Sequence, residues 1–174
     1  MTITTSRPTL SGVPTARRAL APADLLRVAE GLAGSADGWP GLEDPAERCW
    51  RTIGLTDRFE AWIVAWPVGG AIELHDHGQS GGAVVVASGR LVETSLHTDR
   101  AGGPATRRTA LDTGAHVLFG PGHVHDLVNE GPGPALSVHV YTPALRAMTF
   151  FDRGAGGGLV PVRTEHYRDG ELVG

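Results

Sequence analysis

Two short runs hold the side chains best suited to chemistry: His75-Asp76-His77 and His123-Val124-His125-Asp126. On an extended strand, residues i and i+2 point to the same face, so His75 and His77 can aim both imidazoles into one interior. Two imidazoles buried together are costly without a partner, and a divalent metal ion supplies one. His125 is the third candidate ligand, with His123 as its competitor two residues earlier. Asp76 falls on the face opposite His75 and His77, while Glu73 only flanks them in sequence. His97, His116 and His166 stand alone and read as surface or outer-layer residues. Three imidazoles by themselves suit Zn, Ni or Cu as well as Fe, so the residues leave the ion open.

Composition removes several other chemistries. The chain has 174 residues, 41% hydrophobic and 20% charged, enough to bury a core and about one domain in length. A net charge of -4 and a pI near 6.0 give no footprint for nucleic acid or an anionic membrane. No apolar run approaches the roughly 20 residues of a membrane span. The single cysteine, Cys49, excludes an internal disulfide and a multi-cysteine zinc site. All 15 basic residues are arginine, so Schiff-base and P-loop chemistry are absent. The start, MTITTSRPTLSGVPTARRAL, lacks the apolar core of a secretory signal. Residues 1–20 read as a flexible start and the protein as cytoplasmic.

The elements that must position the histidines are mostly strands. PADLLRVAEGLAG, from Pro22 to Gly34, places apolar residues on one helical face, with proline in the first turn and glycine at the stop. A Gly/Pro/Asp loop follows over 35–45. Strands are predicted at 59–67, 71–75, 83–87, 90–97, 115–119, 125–128, 135–142 and 147–151, punctuated by Gly/Pro turns. A flexible GAGGG segment (154–158) precedes a final short strand. Many short strands with one helix give an all-β jelly roll with a short helical N-terminal extension, a single domain over 21–174.

At this point the residues form a pattern. GGAIELHDHGQSGGAVVVASG (69–89) resembles the first cupin motif, and GPGHVHDLVN (120–129) the second, in which a His is followed four residues later by Asn, here His125 and Asn129. Where a typical cupin supplies a metal-binding Glu stands Gly82. The resulting ligand set is neutral, and about three positions of an octahedral ion stay open for substrate and dioxygen.

HDHGQSGGAVVVASGRLVET (75–94) and HDLVNEGPGPALSVHVYTPAL (125–145) resemble the thiol dioxygenases, specifically the cysteine dioxygenase family, as does Trp66 placed nine residues before His75. The resemblance implies Fe(II) held by His75, His77 and His125, and a small thiol plus O2 as partners. It implies Arg51 as the clamp for the substrate carboxylate, and a relay of Ser137, His139 and Tyr141 that presents the phenol to dioxygen or substrate. Some members cross-link that tyrosine to a cysteine at the position of Gly82, which here has no thiol. The implied reaction adds both atoms of O2 to the sulfur of L-cysteine, giving cysteine sulfinic acid, in a monomer. A different thiol such as 3-mercaptopropionate is the first alternative, with Arg146, Arg163 or Arg168 as the clamp. A cupin that binds metal or a small ligand without turnover is the second. A sugar isomerase-type cupin is disfavoured by Gly82. Trp62 and Trp66 read as core or pocket wall.

Overall fold

The computed structural model describes residues 19–35, 39–100, 102–154 and 158–173. Nearly all of the expected flexible start, and the centre of the GAGGG segment, lie outside them. One helix, α1 (Pro22–Ala33), precedes β1 (Cys49–Leu55), β2 (Glu60–Trp66), β3 (Ala71–His75), β4 (Gly81–Ser88), β5 (Arg90–Thr98) and β6 (Pro104–Asp112). β7 (His116–Phe119), β8 (His125–Val128), β9 (Ala135–Thr142), β10 (Ala147–Arg153), β11 (Leu159–Arg168) and β12 (Glu171–Leu172) complete the order. A five-stranded sheet runs β1-β2-β9-β4-β7 and a seven-stranded one runs β12-β11-β10-β3-β8-β5-β6. The paired strands are antiparallel. This is the jelly roll that the strand spacing predicts.

The sequence of β2, EAWIVAW, has no polar face because both of its faces are covered. Trp62, Val64 and Trp66 point into the barrel with Ile72, Leu127 and Met148. Ala61, Ile63 and Ala65 belong to a second core with Leu25 and Ala29 of α1. Small residues on that outer face, with Ala83 on β4, leave room for the helix to lie close across β4 and β9. Burying a Leu or Val side chain stabilises by about 1.5–3 kcal/mol, so this second layer anchors the helix. No helix among the described residues is long and apolar enough to cross a membrane.

Three strands exceed the sequence expectation. β1 is broken by a register shift between Thr52 and Gly54, which hides its alternation. β6 is an edge strand, mostly exposed, so PATRRTALD carries no apolar stripe. The final short strand is instead the ten-residue β11, turned back through Asp169 and Gly170 into β12. Both turn residues have positive φ (53° and 83°), as a two-residue Asp-Gly hairpin requires.

The tip of that hairpin seats on β1. The Gly170 carbonyl accepts the Trp50 indole N–H (3.2 Å). A Cβ built on Gly170 would lie 1.8 Å from Thr52 Oγ1 and 3.1 Å from Glu60 Oε1. Gly170→Ala is therefore expected to cost about 2 kcal/mol or more, from left-handed backbone strain and overpacking together. Denaturant unfolding checks this, and a midpoint equal to wild type would mean the hairpin tip does not bear on β1 in solution.

Candidate metal centre

Register brings the histidines together. His75, the last residue of β3, pairs directly with His125, the first of β8, and its other neighbour is Phe150 of β10. His77 lies two residues beyond the end of β3 and packs its ring on Phe119 (centroids 4.6 Å). All three histidines are at most 2% exposed. Their ligand atoms lie within 4.8 Å of one another. The expectation of one shared interior for these residues matches the geometry.

Hydrogen bonds set which nitrogen each ring offers. His75 Nδ1 donates to the Glu73 carbonyl (2.8 Å), leaving its Nε2 for the interior, 3.2 Å from His77 Nε2. His125 Nδ1 donates to Glu93 Oε1 (2.7 Å). Its Nε2 is buried with no partner, as is His77 Nδ1. Burial lowers the pKa of all three below the ordinary imidazole value, so the rings are neutral and carry lone pairs. An orphaned imidazole nitrogen beside two others, all unable to protonate cheaply, fits a metal ion.

The opposite wall comes from β9. Ser137, His139 and Tyr141 alternate onto its inner face, and Gly82 on β4 lies opposite Tyr141. Trp66 Nε1 donates to Ser137 Oγ (2.8 Å). Ser137 Oγ contacts His139 Nε2 (2.8 Å), and His139 Nδ1 contacts Tyr141 Oη (3.3 Å). An indole N–H can only donate. With the Ser137 hydroxyl donating on to His139 Nε2, a continuous chain runs from Trp66 through Ser137 and His139 to Tyr141, and in that direction the phenolic O–H is left to donate toward the cavity. Burial pushes the Tyr141 phenol well up and the His139 imidazole down to about 3, so both stay neutral. A side chain at Gly82 would strike Phe119, 2.5 Å from its ring, so Phe119 occupies the space where a cross-linking thiol would stand.

Arg51 is not at the site. It points outward from β1, exposed, and donates to the Pro40 carbonyl (3.4 Å). Neighbours on a strand face opposite ways, and here Trp50 takes the inward one. Arg48, two residues before Trp50, lines a cavity that also reaches His75, His139 and Tyr141. Its guanidinium lies 5.6 Å from the Trp50 ring and 5.7 Å from Trp66. No other arginine among the described residues lines this cavity. Arg163 is held outside by Glu73 and Glu165. Arg146 and Arg168 are exposed. The remaining lining is aromatic and aliphatic, including Trp62, Met148 and Tyr167, with no carboxylate.

Other residues take supporting places. Asp76 accepts the backbone N–H groups of Gly78 and Thr149, away from the imidazoles, as alternation predicts. Asn129, the second motif's Asn, donates to the carbonyls of Trp66, Pro67 and Gly133 and accepts from Gly131 N–H. It binds the end of β2 to the loop after β8. Sequence reasoning missed Arg48, Tyr167 and Glu93. Counting back in twos from an inward Trp50 would have found Arg48; Glu93 stands in the quoted LVET segment, two residues after the buried Leu91.

The barrel and its three inward imidazoles define a cupin whose site can hold one metal ion. The family that matches, over residues 25–154, is Cysteine dioxygenase type I, and the chain belongs to it. This is a family of thiol dioxygenases that depend on iron. The chain is also similar to several solved structures. A Thermus thermophilus protein shares 20% identity over 59% of this chain and 89% of its own, at a TM-score of 0.49. An oxalate oxidase in complex with glycolate shares 16% over 62% of this chain and 56% of its own, at 0.48. A Klebsiella pneumoniae protein with a double-stranded beta-helix domain shares 22% over 70% of this chain and 91% of its own, at 0.46.

Proposed function

We propose that the protein is an Fe(II)-dependent dioxygenase that converts L-cysteine to cysteine sulfinic acid. The observation that carries this reading is a cavity lined by Arg48, His75, His139 and Tyr141, joined through His75 to the cluster of His75, His77 and His125. Fe(II) held by His75, His77 and His125 would supply the redox chemistry that joins O2 to sulfur. The balance closes without a reductant: RSH + O2 gives RSO2H, with the sulfur as the only electron donor.

The chain's own residues bind and orient. Arg48 takes the substrate carboxylate, since a planar guanidinium between two indole rings is partly shielded from water and can bind it bidentately. Trp66, Ser137 and His139 hold the Tyr141 hydroxyl with its proton toward the cavity, where it donates to dioxygen or substrate. The apolar lining excludes bulk water and strengthens both contacts. A cation for a carboxylate, with no anion lining the cavity for an ammonium, favours 3-mercaptopropionate as the second reading.

The test sets L-cysteine, 3-mercaptopropionate and cysteamine side by side in oxygen-uptake assays on Fe(II)-loaded protein, with sulfinate measured by mass spectrometry. Arg48→Gln is expected to raise the KM for L-cysteine about 10- to 100-fold, the range for losing one charge-assisted contact. Arg51→Ala should leave KM within about twofold, as for an exposed side chain. Cysteamine, which has no carboxylate, should not respond to either change. A KM that rises with Arg51→Ala and not with Arg48→Gln overturns the clamp. Preference for 3-mercaptopropionate keeps the chemistry and replaces the substrate.

A further inference from the structure

Glu93 is a buried carboxylate, 5% exposed, on β5 behind the site. It does not line the cavity. One oxygen, Oε1, accepts two imidazole N–H groups, from His125 Nδ1 at 2.7 Å and His123 Nε2 at 3.2 Å. His123 in turn has a partly exposed side chain, so the carboxylate is closed off from water by a ring that itself touches water.

The three inward rings are not equivalent. His75 has its outer nitrogen on a neutral carbonyl, and His77 has no partner on Nδ1. His125 alone of the three donates to a carboxylate, and its other nitrogen is the orphaned one. A carboxylate on one imidazole nitrogen fixes the tautomer and makes the other nitrogen a stronger donor. Three neutral ligands leave the double charge of a divalent ion uncompensated, and an anion one ring away offsets part of it.

We propose that Glu93 is the positioning residue of the metal centre, holding His125 as the Nδ1–H tautomer and supplying the negative charge that the three imidazoles lack. This rests on the metal-centre reading above. A rival arrangement uses Glu93, His123 and His125 as a second metal trio, because their ligand atoms also lie close together. The 2.7 Å separation of Glu93 Oε1 and His125 Nδ1 is a hydrogen-bond length. Two ligands about 2.0–2.1 Å from one tetrahedral ion stand farther apart, at roughly 3.3 Å. The trio would also leave His125 Nε2 without a partner.

The test uses the full chain and the metal alone. Anaerobic titration with Co(II), read by its visible absorption and by chelator competition, is run on wild type and on Glu93→Gln, which keeps the shape and removes the charge. Expected are one ion per wild-type chain, an affinity about 10- to 100-fold lower in Glu93→Gln, and a shifted Co(II) spectrum. Long-range 15N–1H correlation on metal-free wild type should show His125 protonated at Nδ1 and bare at Nε2. That measurement stands even where Glu93→Gln fails to fold. Equal affinity and spectrum in the variant, or a proton on Nε2, overturns the Glu93 assignment while leaving the metal centre intact. Two ions per chain overturns it in favour of the second trio. A wild type that binds no ion overturns the metal-centre reading itself.

Discussion

His77→Ala is expected to abolish retention of Fe(II) and, with it, thiol-dependent oxygen uptake. Loss of a partner that merely orients a ligand costs about 10- to 100-fold in affinity or activity, so loss of a ligand should exceed about 100-fold. His77 is the discriminating choice among the three. His75 and His125 are cross-strand partners whose removal would disturb the β3–β8 pairing. His125 also belongs to the neighbouring trio with Glu93 and His123. His77 lies beyond β3, and its ring packs on Phe119, Tyr141 and its histidine neighbours. Its loss leaves the ladders intact and removes the Nε2 that stands 3.2 Å from His75 Nε2. Metal content after anaerobic gel filtration and an oxygen electrode check the expectation. A variant that keeps its iron would move the site to Glu93, His123 and His125; one that keeps iron and turnover would end the three-histidine reading.

Which of these features were legible in the sequence follows from how local each one is. That His75 and His77 share a face, and that Ser137, His139 and Tyr141 do, is alternation within one segment, and the strand spacing carries it. That His75 sits opposite His125 is a pairing across about fifty residues, and only the motif resemblance pointed there. Arg48 was lost by a one-residue choice: with Trp50 inward, Arg51 must face out. Which way Trp50 faces is settled by the Gly170 carbonyl, which arrives from the far end of the chain. β6 was hidden because an exposed edge strand needs no apolar stripe. Glu93 was hidden because an acid at the start of the polar run Glu93-Thr94-Ser95 reads as surface, and only the fold shows two histidines closing over it.

The metal-free protein is expected to lose stability steeply as pH falls below 6.5. His75, His77, His125 and His139 are all buried, and burial is the largest cause lowering the pKa of each, to about 3 for His139. The Glu93 bond opposes that lowering at His125 without reversing it. The sign follows from proton counting. Below pH 6.5 the unfolded chain protonates these rings and the folded chain does not, so acid draws the equilibrium toward unfolding. The stability is whole above pH 6.5 and is lost until the folded pKa values are reached. Each ring contributes up to about 1.4 kcal/mol per pH unit, and the four together up to about 5. Glu60, whose carboxyl is raised by burial, acts in the opposite sense, but it is one group against four. Against a typical total of about 5–15 kcal/mol, the metal-free fold should reach its midpoint between about pH 5.5 and pH 3.5. Bound metal stabilises the folded state by mass action and should move that midpoint lower. Urea unfolding of metal-free and Co(II)-loaded protein from pH 8 to pH 4.5 measures both. A metal-free midpoint level across that range would mean the rings are not held neutral in the folded state, and the case for their lone pairs as ligands would fall with it.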